Sequence, residues 1–266
     1  MERFEWSVMG TVAAVQAKES GSLSVSSATS LGDSLQNISD EVRGVFTEIE
    51  SLLNAHNAKS ELRRLAPLSD REVEESCNER VRRCYEAAFA LQKASGGAFN
   101  PRWRGSKTLD LGAIAKGFAV DLATERVHAP KGVSVLVDLG GNLKAAKGSW
   151  RTGVKNPSGS GIAASVELKE GEALATSAKY FRGEHIYDGR TGKPVDNGVA
   201  SVTVLCRSAM AADGLSTVLF IFGPDDGRKF LERHLSEFVG EGGAEVLWIL
   251  SDGNRLTYPL TTTRFK

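Results

Sequence analysis

The sequence predicts an α+β protein with mostly antiparallel sheets and flanking helices. Segments with the alternation and β-branched content of strands occur near both ends and in the middle of the chain. Helical segments lie between them in groups, in the order strands, two helices, strands, helix, strands, helices, strands. A doubly wound sheet would need strands and helices to alternate one by one, so this order favours α+β.

The first part of the chain predicts a strand and then a helix. Residues 3–17 alternate in hydrophobicity, with only Gly10 interrupting, and predict a strand-like beginning. Residues 18–34 are rich in serine and predict an exposed loop or a short hairpin. Apolar residues then recur at intervals of three and four and predict an amphipathic helix ending near Asn54: Leu35, Ile38, Val42, Val45, Phe46, Ile49 and Leu52.

A second helix is predicted over residues 69–97. Ser69 and Glu72 have the spacing of a capping box, and the glycine pair at Gly96 is a typical stop signal. Cys77 and Cys84 lie seven residues apart in this segment, which predicts neighbours on one buried face. The chain has three cysteines and no pair at zinc-binding spacing, so a structural zinc site of that class is not expected.

The remaining segments supply most of the strands. Residues 109–127 predict a short strand, a turn at Gly112 and a helix. Strands are predicted on both sides of Gly140, at 164–170, 172–178 and 200–206, helices at 208–223 and 227–238, and a closing hairpin that turns at Asp252.

Composition excludes several function classes. Lys plus Arg equals Asp plus Glu, at 33 each, so no excess positive field favours nucleic acid or an anionic membrane. No glycine pattern typical of a Rossmann or P-loop nucleotide site is present. No apolar run approaches the roughly 20 residues of a membrane span. As written the chain is expected to be cytoplasmic, or exported if a signal peptide precedes residue 1.

Asp213 and Thr217 are candidate metal ligands. They are four residues apart in a predicted helix, so a carboxylate and a hydroxyl project from one face. Hard oxygen ligands of this kind suit Mg²⁺, which keeps several waters and binds substrate phosphates, and they also suit Mn²⁺. The alternative is a packed helical threonine beside a solvated aspartate.

Two further segments could contact a phosphate group. Gly112 and Gly117 would let a backbone approach a ligand, while Lys116 would meet a phosphate as a point charge. A plain helix start explains the same residues. The pair at Gly140 and Gly141 predicts either a β-bulge or a ligand contact.

His185 is a candidate general base. It is one of four histidines and stands beside Tyr187 and Asp188, ahead of a turn. An imidazole is the usual base for deprotonating a hydroxyl near neutral pH. The alternative is an exposed loop histidine. Taken together, the candidate groups favour a magnesium-assisted reaction on a phosphate or pyrophosphate.

Eight motifs, in order along almost the whole chain, resemble the ApbE family of FAD:protein FMN transferases. They are MGT (9–11), SEL (60–62), GGAF (96–99), LDLGAIAKGFAVD (109–121), VDLGGN (137–142), ALATSAKY (173–180), HIYDGRTGKP (185–194) and SVTVLCRSAMAADGLSTVLFIFG (201–223). The resemblance implies a single domain over residues 1–266, made of two tunnel-fold-like α+β halves with FAD between them. It also implies that an acceptor hydroxyl attacks the FMN phosphorus and that AMP leaves.

The resemblance assigns roles residue by residue. It implies that Asp213, Thr217 and the backbone carbonyl of Ala113 ligate Mg²⁺, with Ser216 beside them. His185 resembles the catalytic base, with Asp188 in the same motif. The positions that resemble FAD contacts are Met9, His56, Ala98, Phe99, Asn100, Asp110, Lys116 and Tyr187.

Several positions depart from the family pattern. Only a short 101–108 connection stands where the family has a much longer segment, so part of the flavin cover is expected to be missing. Asn100 stands where aspartate is usual, Gly189 where proline is usual, and His56 where an aromatic residue commonly precedes SEL.

Three functions therefore remain open. The first is FMN transfer to a Thr or Ser hydroxyl of an acceptor flavoprotein. The second is hydrolysis of FAD to FMN and AMP by the same site, and the third is a non-catalytic flavin carrier. Residues 24–30 resemble acceptor motifs, so Thr29 is a candidate for self-modification; the alternative is a serine-rich hairpin loop.

Overall fold

The computed structural model describes residues 1–19, 28–179, 186–259 and 263–266, with backbone only at 28–31 and 33. These residues form strands β1 (Glu2–Val8), β2 (Thr11–Glu19), β3 (Val133–Leu139), β4 (Asn142–Lys147), β5 (Trp150–Lys155), β6 (Ile162–Leu168), β7 (Ala173–Ala178), β8 (Tyr187–Asp188), β9 (Lys193–Pro194), β10 (Val199–Cys206), β11 (Glu245–Leu250) and β12 (Arg255–Tyr258). The α-helices are α1 (Ala28–Leu53), α2 (Glu61–Leu65), α3 (Asp70–Ser76), α4 (Glu79–Ala94), α5 (Ala115–Thr124) and α6 (Ala209–Val239).

Eight strands form one antiparallel sheet in the order β1-β2-β3-β4-β7-β10-β11-β12. Two four-stranded halves meet at β4 and β7, where the register pairs Leu143 with Leu174 and Lys144 with Ala173. The strand pairs β5–β6 and β8–β9 are separate. The predicted α+β class with mostly antiparallel strands is confirmed.

The two faces of the sheet bury different cores. Alternate side chains of a strand point to opposite faces. On β7, Ala173 and Ala175 belong to the main core beneath α1, α5 and α6, whereas Leu174 belongs to a smaller core shared with β5 and β6. Residues of β7 with odd numbers therefore face the helices, which places Ser177 on the helical side.

Two of the predicted boundaries are wrong. The sequence predicts a loop or hairpin over 18–34, but β2 continues to Glu19 and helix α1 begins at Ala28, and residues 20–27 lie outside the described residues. Leu31 lies four residues before Leu35, which extends the apolar row of the helix upstream. The turn at Met9 and Gly10 divides the strand-like beginning into two paired strands.

The second predicted helix is interrupted. The capping box of Ser69 and Glu72 is present, but the helix ends at Ser76 and a new one starts at Glu79. Cys77 has an extended backbone, and the Asn78 side chain accepts a hydrogen bond from Arg80 N at 2.8 Å, which caps α4. Cys77 and Cys84 are both buried, as predicted, but Cys77 lies outside α4, so the prediction that they share one helical face is wrong.

The short strand expected at 109–111 is absent from the described part of the chain. The Asp110 side chain instead accepts a hydrogen bond from Gly112 N at 2.8 Å, and this local turn competes with an extended conformation. The two helices expected at 208–223 and 227–238 are the two parts of α6, which break at Gly223 (φ 71°). No helix among the described residues is long and apolar enough to cross a membrane.

Candidate functional site

Asp213 lies at the contact between α5 and α6. Its side chain is buried, and Oδ2 accepts a hydrogen bond from Gly117 N at 2.9 Å, while Lys116 Nζ lies 3.6 Å away. Gly117 permits this approach, since a Cβ there would lie 2.1 Å from the carbonyl oxygen of Ala209. The contact between α5 and α6 thus places Asp213, a predicted metal ligand, beside Lys116, the predicted phosphate-binding lysine.

The surroundings of Asp213 favour a cation. Burial raises the pKa of its carboxyl, and the Lys116 ammonium followed by the Gly117 N–H acts in the opposite direction. The carboxylate is costly to keep ionised in a buried position with one partly exposed lysine as its counter-charge. A divalent cation at this position would offset that cost.

The backbone carbonyl of Ala113 is free to take a ligand. Ala113 lies in the turn before α5, two residues ahead of Ala115, and its carbonyl oxygen accepts no hydrogen bond from any described residue. Gly117 is the third residue of α5, so its N–H has no acceptor within the helix, and it donates to Asp213. This contact therefore caps the start of α5 and buries one predicted metal ligand, while the predicted carbonyl ligand precedes the helix.

Three hydroxyl groups form a cluster beneath Asp213. Ser216 Oγ donates to the Asp213 carbonyl at 2.8 Å, and Thr217 Oγ1 lies 3.4 Å from the same oxygen. Ser177 Oγ on β7 lies 2.8 Å from Ser216 Oγ and 3.2 Å from Thr217 Oγ1. Ser216 is fully buried, whereas Thr217 is partly exposed, so a ligand could reach Thr217 more directly.

Lys116 and Asp110 belong to one turn. Lys116 Nζ donates to Gly112 O at 3.1 Å, and Gly112 N donates to Asp110 Oδ1 at 2.8 Å. Ala113 follows in the same turn and is partly exposed. The sequence-predicted phosphate and metal residues of this segment are therefore brought together at the start of α5.

Asp121 is a further residue of the site that the sequence reasoning did not identify. It accepts hydrogen bonds from Ser208 Oγ at 2.8 Å and from the first backbone N–H groups of α6, Ala209 at 2.9 Å and Met210 at 3.0 Å. Lys144 Nζ donates to Asp121 Oδ1 at 2.7 Å, the oxygen that also accepts from Ala209 N. Asp121 thus ties the N-terminus of the helix that carries Asp213 to α5, one helical turn beyond Gly117.

Two of the family motifs lie against each other. A Cβ at Gly140 would lie 2.5 Å from Thr11 Oγ1, and Gly140 N donates to Val12 O at 3.0 Å. Met9 adopts φ 51°, which few residues other than glycine do, and its N–H donates to Glu50 at 3.0 Å. Positive φ at both Met9 and Gly10 is the geometry of a two-residue hairpin turn between β1 and β2, and the role of Met9 as an FAD contact stays a prediction.

The positions that depart from the family pattern contact one another. Gly189 N donates to Ala98 O at 2.8 Å, and a Cβ at Gly189 would lie 2.3 Å from the Cβ of Asn100. Asn100 Oδ1 accepts from Gln92 Nε2 at 3.1 Å and from Arg102 N at 2.8 Å. Glycine at 189 therefore lets the chain approach the turn that holds Asn100.

Substituting Gly189 by proline is expected to damage the fold, although proline is usual here in the family. The change removes the N–H that bonds to Ala98 and adds atoms where no space exists. We expect the free energy of unfolding to fall by about 3 kcal/mol, measured by denaturant titration. Gly189→Ala keeps the N–H and should lose less; equal stability of wild type and Gly189→Pro would show that the turn adapts.

Asp188 is engaged by Arg190. Arg190 Nε and Nη2 donate to its carboxylate at 2.9 and 2.6 Å, and this pairing holds the pKa of Asp188 below its ordinary value. The carboxylate is thus ionised at neutral pH and a weaker base than an ordinary aspartate. Its catalytic role stays a prediction, as does that of His185, which lies outside the described residues.

Trp103 occupies the short 101–108 connection and was not singled out from the sequence. Its ring stacks on that of Tyr187 at a centroid distance of 4.3 Å, and the Arg104 guanidinium lies 4.5 Å from its centroid. Trp103 N also donates to Asn100 O at 3.1 Å. A large aromatic side chain thus stands between two positions that resemble FAD contacts.

Of the other positions predicted to contact FAD, Ala98 and Phe99 lie in one turn that packs toward α6, and His56 lies elsewhere. Ala98 and Phe99 are buried in the turn after α4, and α4 packs on α6, where a Cβ at Gly214 would lie 2.4 Å from Leu91 Cδ1. His56 is exposed in the turn after α1, and no described contact joins it to the Asp213 cluster. Its role stays a prediction.

The donor set fits a hard divalent cation. No group of three or more His, Cys, Asp or Glu that could hold a metal occurs among the described residues. The donors are instead the carboxylate of Asp213, the hydroxyl of Thr217 one helical turn later on α6, and the carbonyl of Ala113 in the turn before α5, whose Gly117 N–H bonds to that carboxylate. Mg²⁺ is commonly held by one or two carboxylates and completes its shell with water and substrate phosphates.

Comparisons with known proteins point to one family. The sequence profile of the ApbE family matches residues 102–239, just over half of the chain. A FAD:protein FMN transferase of Vibrio cholerae is 34% identical over 141 residues, 47% of this chain and 42% of that protein. One from Rhodobacter capsulatus is 33% identical over 170 residues, 59% of this chain and 31% of that protein. The chain thus matches less than half the length of these relatives.

Solved structures share the fold. The ApbE protein of Thermotoga maritima superposes with a TM-score of 0.75 at 22% identity, covering 96% of both chains. The flavin transferase ApbE of Vibrio cholerae gives a TM-score of 0.73 at 23% identity, covering 97% of this chain and 96% of that one. At this level of identity the likeness concerns the fold alone.

Proposed function

The chain belongs to the ApbE family, and on that premise we propose that it transfers FMN from FAD to a Thr or Ser hydroxyl of an acceptor flavoprotein and releases AMP. The observation that carries the proposal is the contact of Asp213 with Gly117 and Lys116. It places a carboxylate 3.6 Å from an ammonium group at the start of α5, and a carboxylate for a counter-ion and an ammonium group for a phosphate are groups needed to hold a pyrophosphate.

Asp213, Thr217 and the carbonyl of Ala113 would hold Mg²⁺ or Mn²⁺, with Ser216 behind them. When bound, the ion neutralises charge on the phosphoryl oxygens. Lys116 now donates to Gly112 O and would redirect to a phosphate oxygen, which it reaches as a flexible point charge. Thr217 and Ser216 would contribute hydroxyl oxygens and no net charge.

FAD would lie along the remaining family positions, namely Met9, His56, Ala98, Phe99, Asn100, Asp110 and Tyr187. His185 would deprotonate the acceptor hydroxyl, and Asp188, fixed by Arg190, would orient its segment rather than exchange protons. Trp103 would replace part of the flavin cover that the short 101–108 connection lacks.

Removing the Trp103 ring is expected to weaken FAD binding. Trp103→Ala removes the ring proposed to cover the flavin, and an aromatic contact of this kind contributes roughly 0.5–1.5 kcal/mol, so we expect a roughly 3- to 10-fold higher Kd for FAD. Trp103→Phe keeps a ring at the position and serves as the matched control. The measurement is a titration of flavin fluorescence, and an unchanged Kd in Trp103→Ala would remove Trp103 from the cofactor site.

The proposed function is tested by incubating the protein with FAD, Mg²⁺ and a peptide that carries an S-G-A-T acceptor. AMP release together with a peptide mass gain equal to FMN supports transfer. AMP without peptide modification would identify a hydrolase, and retained flavin with neither product would identify a carrier.

The same incubation tests the protein as its own acceptor. Thr29 lies in the first turn of α1, and self-modification at Thr29 stays a prediction. Peptide mapping after incubation with FAD and Mg²⁺ checks it, since an unmodified Thr29 would exclude this residue as the acceptor.

A further inference from the structure

We propose that Ser177 is a positioning residue that turns the hydroxyl oxygen of Thr217 toward a bound divalent cation. The proposal rests on the proposed function, because it takes Thr217 to be a ligand. Ser177 Oγ lies 3.2 Å from Thr217 Oγ1 and 2.8 Å from Ser216 Oγ. These contacts join the centre of the sheet to the helix that carries the site.

The number of protons fixes the direction of the hydrogen bonds. Three hydroxyls carry three protons, but four contacts connect them with one another and with the Asp213 carbonyl. Ser216 donates to that carbonyl at 2.8 Å, so the proton between Ser177 and Ser216 comes from Ser177. Ser177 then has no proton for Thr217, so Thr217 donates either to Ser177 at 3.2 Å or to the Asp213 carbonyl at 3.4 Å, and the shorter contact favours Ser177.

The contact left without a proton is the longest of the four. Thr217 Oγ1 lies 3.4 Å from the Asp213 carbonyl, which already accepts from Ser216. The resulting chain runs from Thr217 through Ser177 and Ser216 to that carbonyl. Each hydroxyl donates once, as a fully satisfied network requires.

This direction decides what Thr217 offers to a ligand. A helical threonine divides between two side-chain rotamers, because its hydroxyl can bond back to the preceding turn. Ser177 provides an alternative acceptor on the sheet, which directs the Thr217 proton toward β7. The lone pairs of Thr217 Oγ1 are then available on the partly exposed side of α6.

The position of Ser177 is fixed by strand pairing. It lies opposite Val202 on β10, in the interior of the eight-stranded sheet, and faces the helices as Ala173 and Ala175 do. A hydroxyl on a loop would have to lose more freedom to hold the same place. The sheet therefore gives Thr217 a rigid hydrogen-bond partner.

Ser177→Ala tests the proposal through metal affinity. Without Ser177, the Thr217 proton returns to the Asp213 carbonyl and the ligand loses its fixed orientation. Loss of a group that orients a metal ligand commonly weakens metal binding about 10- to 100-fold, and we expect about 10-fold for Mn²⁺. Free Mn²⁺ is measured by electron paramagnetic resonance while the protein is titrated into a Mn²⁺ solution, with and without FAD. Only the Mn²⁺ binding that is lost in Asp213→Asn is assigned to this site.

Thr176→Val is the matched control. Thr176 is the neighbouring residue of the same strand, and its Oγ1 makes a hydroxyl contact of 2.9 Å to Thr203 across the β7–β10 pair. It faces the other side of the sheet, away from α6. This variant loses one inter-strand hydroxyl contact, as Ser177→Ala does, but should keep the wild-type affinity for Mn²⁺.

The outcomes separate this proposal from the proposed function. Weaker Mn²⁺ binding in Ser177→Ala alone, with a Tm in EDTA equal to that of Thr176→Val, supports the positioning role. If wild type and Ser177→Ala bind Mn²⁺ with equal affinity, Ser177 has no positioning role, but the metal site itself is not contradicted. The same holds if Ser177→Ala and Thr176→Val weaken Mn²⁺ binding equally. Wild-type protein without Asp213-dependent Mn²⁺ binding overturns the metal site and the role of Ser177 together.

Discussion

Asp213→Asn is expected to abolish both AMP release from FAD and transfer of FMN to the acceptor peptide. The variant removes the buried carboxylate that lies 3.6 Å from the Lys116 ammonium and accepts the Gly117 N–H, and that is the proposed charged ligand of the metal ion. Charge neutralisation at a phosphoryl group is worth several kcal/mol, so the rate should fall by at least about 100-fold. Steady-state AMP release at saturating Mg²⁺ measures the effect.

A second aspartate of α6 supplies the control. Asp226 is exposed beyond the break at Gly223 and pairs with Lys229 at 2.8 Å. Asp226→Asn also removes one negative charge from α6, and the rate should remain at the wild-type value. A normal rate in Asp213→Asn would exclude Asp213 as a metal ligand of the reaction.

The stability of Asp213→Asn distinguishes a functional carboxylate from a structural one. Burial raises the pKa of Asp213 in the folded protein, so above that pKa the ionised group costs stability relative to a neutral one. Asparagine keeps an oxygen for the Gly117 N–H and removes the charge. In EDTA at neutral pH the Tm should therefore be unchanged or higher, whereas a lower Tm would mean that the carboxylate supports the fold.

The parts of the site that follow local spacing could be predicted from the sequence. Asp213 and Thr217 share a helical face because they are four residues apart, and Lys116 follows a glycine turn. Helix α1 and the strands around Gly140 followed from periodicity in the same way. Patterns of this kind depend only on near neighbours in the chain.

Ser177 and Asp121 could not be identified in that way. Ser177 meets Thr217 across 40 positions of sequence, and Asp121 meets the N-terminus of α6 across 88. Both contacts depend on which strands pair and on how closely two helices approach. The alternation of residues in β7 predicted a strand but could not predict which side chain Ser177 contacts. The helix breaks at Cys77 because Asn78 caps α4, although the helical periodicity of the sequence continues through this point.

Gly117 shows how one small residue links the fold to the site. It allows α5 and α6 to approach so closely that its N–H, in the first turn of α5, bonds to the carboxylate of Asp213. The close packing and the burial of the carboxylate are thus one feature. A substitution at Gly117 should disturb both.

Gly117→Ala is accordingly expected to be among the most damaging small changes in the chain. Its Cβ would lie 2.1 Å from the carbonyl oxygen of Ala209 and 2.8 Å from the Cβ of Asp213, and neither can move without shifting a helix. We expect the free energy of unfolding to fall by about 2 to 3 kcal/mol and the Tm by roughly 5 to 10 °C. Metal binding should weaken as well.

Gly44→Ala gives the opposite expectation for the same chemical change. Gly44 is an exposed helical glycine in α1, and a Cβ there would meet nothing within 4 Å. Alanine should therefore raise the free energy of unfolding by about 0.5 to 1 kcal/mol through its greater helix propensity. Thermal and denaturant unfolding of both variants in EDTA tests the pair. A stable Gly117→Ala protein with unchanged Mn²⁺ affinity would show that the close approach of α5 and α6 does not form the site.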